Sequence, residues 1–317
     1  MPCWRWKKSD DQMSKKNRPK LKEEKKRGGE QPFVSKAKDF LKELAIVLGA
    51  FLFLNSFVIA SFEVPTGSME NEIMTGDFLF VNKFIYGGSS PRNIPFTDIR
   101  LPYFTVPSFD EVERGDVIVF VYPGQRDEVL PEEFSYYLKR CVAKGGDTLK
   151  IVDRVVYVNG QRVAFPRNVK FNSTSIKPRG EADPRIFPPG SDFSEDSYGP
   201  IVVPKKGDTL HVTAANFVSL RTFIGREGHS VRIDDDASVI IDGRKTDTYV
   251  VERDYVFGMG DNRDNSLDSR FWGFIPERDI VGTPMIVYWS WDPNTPLWDI
   301  PSKLGSIQFG RIGRLVE

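Results

Sequence analysis

The chain has 317 residues, which is ample for a buried core and consistent with one large domain or two modest domains. Its net charge is zero, but residues 1–42 carry 14 Lys and Arg against six Asp and Glu, so the remainder is acidic. A basic segment indicates either nucleic acid binding or a tail beside a membrane, and the apolar run that follows it excludes nucleic acid as the partner.

That run, residues 44–62, reads LAIVLGAFLFLNSFVIASF and contains no charge. As a helix it is roughly 28 Å long, close to the hydrocarbon thickness of a bilayer. We therefore predict a single transmembrane anchor at 44–62, with the lipid bilayer as a partner, after a basic and disordered cytoplasmic tail at 1–43. Because Lys and Arg are kept on the cytoplasmic side, the chain after Phe62 is expected outside the cytoplasm.

Two other interpretations of this run were weighed. A buried core helix normally shows a polar stripe, whereas this run is apolar nearly all round. A cleavable signal peptide is suggested by the small residues around Val58-Ile59-Ala60, but the preceding basic region is far longer than usual. We expect an uncleaved anchor, and clipping after Ala60 stays open.

The cysteines are Cys3 and Cys141. The predicted topology separates them across the membrane, so the exported part is expected to have no internal disulfide. Cys141 is either a thiol nucleophile or a small buried residue, and the second role is the more common one.

Beyond residue 63 the patterns are those of β-structure. Short β-branched and aromatic runs occur at 77–84, 116–123, 255–258 and 280–289. Two further runs end at Asn159-Gly160 and Asp242-Gly243, which are strong signals for tight hairpins. We predict a mostly β protein: an antiparallel β domain built from 63–150 and 250–317, with a smaller β subdomain inserted at 151–249.

Several kinds of catalytic site have little support. Neither histidine, His211 or His229, lies near a Gly-x-Ser-x-Gly turn, so a Ser/His/Asp triad is not expected. No cluster of Cys and His has zinc-binding spacing and no HExxH sequence occurs. Neither a metal nor another cofactor is therefore predicted.

A serine and a lysine offer a different chemistry. Ser68 lies in the sequence PTGSM, and Lys139 lies among apolar and aromatic residues in YYLKRCV. A lysine acts as a general base near neutral pH only where burial lowers its pKa by several units, and a serine needs such a base to become a nucleophile. Alone, each motif is more often a turn or a solvated cation. If the two side chains meet, the protein is a membrane-anchored Ser/Lys hydrolase.

A polar segment completes the candidate site. Residues 258–273 read GMGDNRDNSLDSRFWG, and the apolar strands on either side favour a rigid network of paired groups over a flexible loop. A neutral lysine needs hydrogen-bond partners to direct its lone pair, and the hydroxyl of Ser266 is suited to that task. The Ser68 amide and the Thr66 hydroxyl are candidates for binding an oxyanion.

The ordered set formed by the apolar anchor, PTGSM, RGDVIVF, YLKR and GDNRDNSLDSRFWG closely resembles bacterial type I signal peptidases, from about Ser61 to Arg278. The resemblance implies that Ser68 is the nucleophile and Lys139 the general base. It implies that Thr66 and Ser68 form the oxyanion hole and that Ser266 hydrogen-bonds Lys139. It also implies two structural ion pairs, Arg140–Asp261 and Asp268–Arg270. Finally, it implies shallow pockets for small side chains, lined by Phe62, Val64, Met69, Ile73, Tyr137 and Leu138.

The same resemblance implies the partners and the location. The substrates would be secretory preproteins, cut after small residues in Ala-x-Ala sequences, and the enzyme would be a monomer in the bacterial cytoplasmic membrane. An aromatic cluster is a candidate membrane-surface patch or an ordinary core, and comprises Tyr288, Trp289, Trp291, Trp298 and Phe309. Asn71-Glu72 stands where the family commonly has Pro-Thr, which makes Glu72 a candidate for altering the preference around the cleavage point, and its effect stays open.

Two other functions remain to be considered. A self-cleaving Ser/Lys protein of the SOS-repressor type would have a DNA-binding helical head, whereas this chain has an apolar anchor. A membrane-anchored, non-catalytic binding protein on a peptidase-like fold is the alternative from another class. The presence of Ser68, Lys139 and Ser266 argues against it.

Overall fold

A computed structural model describes residues 33–93, 99–181 and 183–317. The helices are α1 (Phe33–Phe57), α2 (Phe217–Arg226), α3 (Ser269–Trp272) and α4 (Ile300–Gly305), with 3₁₀ turns at Arg263–Asn265, Glu277–Asp279 and Phe309–Arg311. The strands before residue 200 are β1 (Ile59–Glu63), β2 (Asp77–Asn82), β3 (Val117–Val121), β4 (Tyr136–Lys144), β5 (Thr148–Val152), β6 (Val155–Val158), β7 (Gln161–Arg162) and β8 (Tyr198–Val202). Those after it are β9 (Thr209–His211), β10 (Val231–Ile233), β11 (Val239–Ile241), β12 (Arg244–Lys245), β13 (Thr248–Val250), β14 (Tyr255–Met259), β15 (Ile275–Pro276) and β16 (Ile280–Ser290).

Helix α1 contains a stretch, Ala37–Phe57, that is long and apolar enough to cross a membrane. The predicted limits of the anchor and of the tail were wrong. The helix already begins at Phe33, within the segment expected to be disordered, and residues 1–32 of that segment lie outside the described residues. It ends at Phe57 rather than Phe62 because Ile59–Glu63 pairs with β2 as a strand, which satisfies the backbone groups that the helix would otherwise use.

The main sheet is antiparallel and has the order β1-β2-β16-β3-β4-β14-β15. Its strands come from the two ends of the folded region, before residue 145 and after residue 254. The predicted mostly β architecture is confirmed. Strand β1 forms one edge of the sheet, and β4 lies inside it between β3 and β14.

The chain between these two parts forms smaller sheets: β7-β6-β5-β8, β10-β11-β12 and β9-β13. Both predicted hairpins are present, and Asn159-Gly160 and Asp242-Gly243 have the positive φ angles of their tight turns. Helix α2 was not predicted. A single buried cluster joins this region to the main sheet, since Leu149 and Val156 pack in the same cluster as Tyr255 and Phe257. The division into a main domain and an inserted subdomain stays a prediction.

Cys141 is fully buried on β4, and burial raises the pKa of its thiol to about 12. A protonated thiol is a poor nucleophile, because the thiolate is the reactive form. The residue is therefore part of the core, as its side chain packs with Ile118, Phe120 and Val256.

Candidate active site

Ser68 lies on the turn that connects β1 to β2. Two backbone hydrogen bonds close this connection: Val64 donates to Asp77 and Gly76 donates to Val64. After Ser68 the chain makes one helical turn, in which the amide of Ile73 donates to the carbonyl of Met69 at 2.8 Å. Ser68 is thereby held at the rim of the main sheet with only 9% of its surface exposed.

Lys139 reaches this serine from β4. Its Nζ lies 2.8 Å from Ser68 Oγ and donates a second hydrogen bond to the carbonyl of Leu138 at 3.0 Å. The lysine is 2% exposed. The two residues are separated by 71 positions in the sequence, so the antiparallel sheet is what brings them together.

Burial lowers the pKa of Lys139 to about 8, against an ordinary value of 10.5. Asp268 and Asp261 raise this pKa and Arg270 lowers it, but these charges are secondary to the loss of water around the amine. The rings of Tyr137 and Trp272 lie 5.6 and 6.0 Å from Nζ. At neutral pH a usable fraction of the amine is therefore unprotonated and able to accept the proton of Ser68.

A loop of residues 260–266 holds the turn that carries Ser68 from the other side. The amide of Asn262 donates to the carbonyl of Ser68 at 3.0 Å, and its side-chain amide donates to the carbonyl of Gly67 at the same distance. A Cβ atom at Gly260 would lie 2.6 Å from the Ser68 carbonyl oxygen, so only glycine allows this approach. Asn262 and Gly260 were not predicted as site residues, although both lie in the polar segment at 258–273.

We expect Asn262→Ala to lower the free energy of unfolding by roughly 1–3 kcal/mol, because the side chain loses its hydrogen bonds to the Gly67 carbonyl, to Glu70 and to Asn172. Asn262 is fully buried. Cleavage activity should fall as well, since the turn that carries Ser68 loosens. Urea unfolding monitored by tryptophan fluorescence measures the first effect.

Asn294→Ala is the matched control for this substitution, since Asn294 is exposed and bonds only to its neighbour Asp292. Its effect on unfolding should stay within about 0.5 kcal/mol. Equal losses in the two variants would contradict the role given to Asn262.

Both predicted ion pairs are formed beneath the site. Arg140 makes a bidentate contact with Asp261 whose shortest distance is 2.6 Å, and it also donates to the carbonyl of Gly115 at 2.7 Å. Arg270 and Asp268 are 2.8 Å apart and almost completely buried. Asp268 additionally accepts from the amide of Gly260 at 3.1 Å, which ties the pair to the loop over Ser68.

The predicted hydrogen bond between Ser266 and Lys139 is not formed. Ser266 Oγ is buried and has no hydrogen-bond partner among the residues that the structure describes. The hydroxyl lies against Gly260 and close to Asp268, whose pKa it helps to lower. Lys139 instead uses the Leu138 carbonyl as its second partner, because that acceptor is on its own strand.

A cleft of about 400 Å³ opens onto the Ser68–Lys139 pair. Thr66 lies exposed at this cleft, next to Ser68. Most residues predicted to bind substrate line it, namely Phe62, Val64, Met69, Tyr137 and Leu138. Ile73 does not: it is fully buried in the core with Leu79, because the helical turn after Met69 directs it inward. That prediction was wrong.

The influence of Glu72 on specificity stays a prediction. Its side chain is 2% exposed and does not line the cleft. One carboxylate oxygen accepts from the amide of Glu317 at 2.9 Å, and the other accepts from the side chain of Asn168. Glu72 is therefore a structural hydrogen-bond acceptor that holds Glu317 and Asn168 near the turn that carries Ser68.

The remaining titratable groups suggest no second reaction centre. Within 33–93, 99–181 and 183–317, no three His, Cys, Asp or Glu side chains are grouped so that they could hold a metal ion. His229 is near the surface, where it contacts Asp242 at 2.6 Å and Glu252 at 3.0 Å.

Comparison with known proteins identifies the family of this chain. Residues 37–289 match the model of the family described as signal peptidase, peptidase S26. Similar proteins include "Signal peptidase I" of Haemophilus influenzae, 30% identical over 84% of this chain and 73% of that protein, and of Pseudomonas aeruginosa, 31% identical over 87% and 78%. "Signal peptidase I" of Aquifex aeolicus is 28% identical over 78% of this chain and 82% of that protein. The chain therefore belongs to the signal peptidase family, peptidase S26.

Proposed function

We propose that this protein is a membrane-anchored serine endopeptidase that removes N-terminal signal peptides from exported preproteins. The observation that carries the proposal is the distance of 2.8 Å between the amine of a buried lysine and the hydroxyl of Ser68, at the edge of an apolar cleft. A nucleophile and a base in hydrogen-bond contact are what acyl transfer by a serine requires. The relatives named signal peptidase I supply the substrate class.

In the first half of the reaction, neutral Lys139 accepts the proton of Ser68 as Oγ attacks the scissile carbonyl. The negative charge on the tetrahedral oxygen is stabilised by the Ser68 amide and the Thr66 hydroxyl. When the carbon–nitrogen bond breaks, the Lys139 ammonium returns its proton to the leaving amine. The signal peptide is then held as an ester on Ser68.

In the second half, Lys139 is neutral again and deprotonates a water molecule. The hydroxide attacks the ester carbonyl, the bond to Ser68 Oγ breaks, and Oγ recovers its proton from the lysine. One base therefore serves both halves, and the structural ion pairs keep its strand and the opposing loop in place.

The shape of the cleft supports cleavage after small residues. Its lining is mostly apolar, and the rings of Phe62 and Tyr136, which both line it, pack edge to face at 5.0 Å. Strand β1 is an edge strand and contributes Phe62, so an extended peptide can lie beside it. We infer that side chains such as alanine enter and that larger ones are excluded.

The proposed location is the bacterial cytoplasmic membrane, with the N-terminus in the cytoplasm, α1 as the single span and the catalytic part outside. Exposed apolar side chains support contact with the membrane surface; Trp298 is 86% and Phe309 72% exposed. Trp289 and Trp291 are half-buried and pack against each other at 6.0 Å, so they belong partly to the core.

Cleavage should depend on pH through the amine of Lys139. Its pKa of about 8 means that the reactive neutral form is lost as the pH falls, so kcat/KM should decrease about tenfold per unit below pH 8 and level off above it. The measurement is cleavage of a purified preprotein by the full chain in detergent between pH 5.5 and 9.5.

Two further groups titrate in this range: burial lowers the pKa of Lys83 to about 8, and contact with Asp242 raises the pKa of His229. His229→Gln controls for the second of them. The profile of this variant should match that of the parent protein. A rate that is flat between pH 5.5 and 9.5 would contradict Lys139 as the base.

A further inference from the structure

A second cavity, of about 170 Å³, lies between β4 and the chain around Phe165. It shares no lining residue with the cleft at Ser68. Its walls are mostly apolar and include Val142, Val156 and Phe165. Its charged lining residues are Arg114, Arg140 and Arg263.

Two of these three arginines have carboxylate partners. Arg114 contacts both oxygens of Asp147, at 2.6 and 2.8 Å, and Arg140 contacts both oxygens of Asp261. Arg263 differs. It is 3% exposed, its Nε is buried without a hydrogen-bond partner, and its guanidinium forms no ion pair within the described part of the chain.

Arg263 has no carboxylate of its own among the charged groups that surround it in the described part of the chain. Asp261 and Asp268 are the carboxylates whose charge reaches it, and each is already engaged by another guanidinium, of Arg140 and Arg270 respectively. Its backbone is fixed on both sides, because its amide donates to Lys170 at 2.9 Å and its carbonyl accepts from Arg270 at 2.7 Å. The side chain is therefore held at the cavity without a counter-charge.

We propose that this cavity binds a small monocarboxylate with an apolar body, with the carboxylate on Arg263 and the hydrocarbon against Val156 and Phe165. A guanidinium presents paired donors that match a carboxylate, and a buried cation without a partner favours an anion strongly. A cavity of roughly 150 Å³ accommodates a molecule the size of benzene. The mostly apolar walls favour such a body over a fully hydrated inorganic anion.

Benzoate is a suitable probe, with benzamide as its neutral counterpart and inorganic phosphate as the purely ionic one. The melting temperature of the full chain in detergent is measured with each compound at constant ionic strength. We expect saturating benzoate to raise it by about 3 °C, and benzamide and phosphate to leave it unchanged. No shift with benzoate, or an equal shift with phosphate, would overturn the proposal.

Arg263→Gln should abolish the benzoate shift, because it removes the charge but keeps a polar side chain of similar length. Arg244→Gln is the matched control, since Arg244 is exposed on the distant β12, and it should retain the full shift. A shift that persists in Arg263→Gln would show that benzoate binds elsewhere.

Ala164→Trp tests the same cavity without altering the buried charge. Ala164 lines the cavity but is exposed, so a large side chain there closes the entrance and leaves the core unchanged. The variant should fold with an unchanged melting temperature in buffer and lose the benzoate shift, while preprotein cleavage continues. A full benzoate shift in this variant would overturn the proposal independently of the arginine.

Discussion

Replacing Lys139 with methionine is expected to lower preprotein cleavage by at least about a thousandfold and, at the same time, to stabilise the folded protein. Activity is lost because no other base contacts Ser68: the described neighbour of its hydroxyl is the lysine amine at 2.8 Å. Methionine has a similar length and no charge, so the cavity around position 139 stays filled.

The gain in stability follows from the direction of the pKa shift. Burial lowers the pKa of Lys139 from 10.5 to about 8, so at pH 7 the folded protein contains a buried cation that is better solvated after unfolding. A difference of this size corresponds to roughly 3 kcal/mol. The unfolding free energy of the parent protein should therefore rise between pH 8 and 10.5, where the folded state holds the neutral amine and the unfolded state is still protonated. Lys139→Met should lack this rise.

Urea unfolding at pH 7 and at pH 10.5 measures the free energy of unfolding of both proteins. Lys139→Met should be more stable than the parent protein at pH 7, and the two free energies should converge at pH 10.5. Ser68→Ala is the matched control: it should be equally inactive, but it keeps the lysine and therefore its pH dependence. If Lys139→Met is less stable than Ser68→Ala at pH 7, the buried ammonium of Lys139 does not destabilise the folded protein.

The features predicted from sequence were those with strong local signals. Asn159-Gly160 and Asp242-Gly243 specify tight turns through their own backbone preferences, and apolar length alone indicated a helix able to span a membrane. Lys139 and Ser68 could be singled out because few residue types can act as a base and a nucleophile. Their contact, across 71 residues, was an expectation that only the folded sheet could show.

The wrong predictions concern residues for which more than one hydrogen-bond or packing partner is available in the fold. Nothing in the apolar run up to Phe62 indicates that the helix ends at Phe57. The helix ends there because the next residues form strand hydrogen bonds with β2, which lies further along the chain. Ser266 was predicted to orient the lysine because it carries a hydroxyl, and Ile73 was predicted from the family resemblance. The orientation of both side chains depends on Gly260 and on the turn after Met69. Hydrogen-bond partners of this kind follow from packing, which no residue pattern displays.

Replacing Asp268 with asparagine is expected to lower the free energy of unfolding by about 3–5 kcal/mol, the largest loss of stability that we predict for a single substitution. Asp268 is fully buried and lies 2.8 Å from Arg270, which is itself 1% exposed. Asparagine keeps the shape but leaves the arginine charge buried and unpaired. Cleavage should fall too, because Asp268 also accepts from Gly260 in the loop over Ser68.

The pH dependence of this loss has a definite sign. Arg270 and the hydrogen bonds to Asp268 hold the pKa of that carboxyl below its ordinary 3.8, so the pair contributes its full stability above that value and loses it as the pH falls further. The difference in the free energy of unfolding between the parent protein and Asp268→Asn should therefore be constant from pH 5 to 7 and become smaller below pH 3.8. Urea unfolding across that range measures it.

Asp192→Asn is the matched control for Asp268→Asn, because it breaks an ion pair that is not buried. Asp192 contacts Arg179 at a similar 2.7 Å, but both side chains are largely exposed, so water screens this pair and it contributes little to stability. Adding Arg270→Met to Asp268→Asn should recover part of the lost stability, because it removes the unpaired charge. If Asp268→Asn costs no more than Asp192→Asn, or if the second substitution deepens the loss, the buried pair does not stabilise the fold through charge.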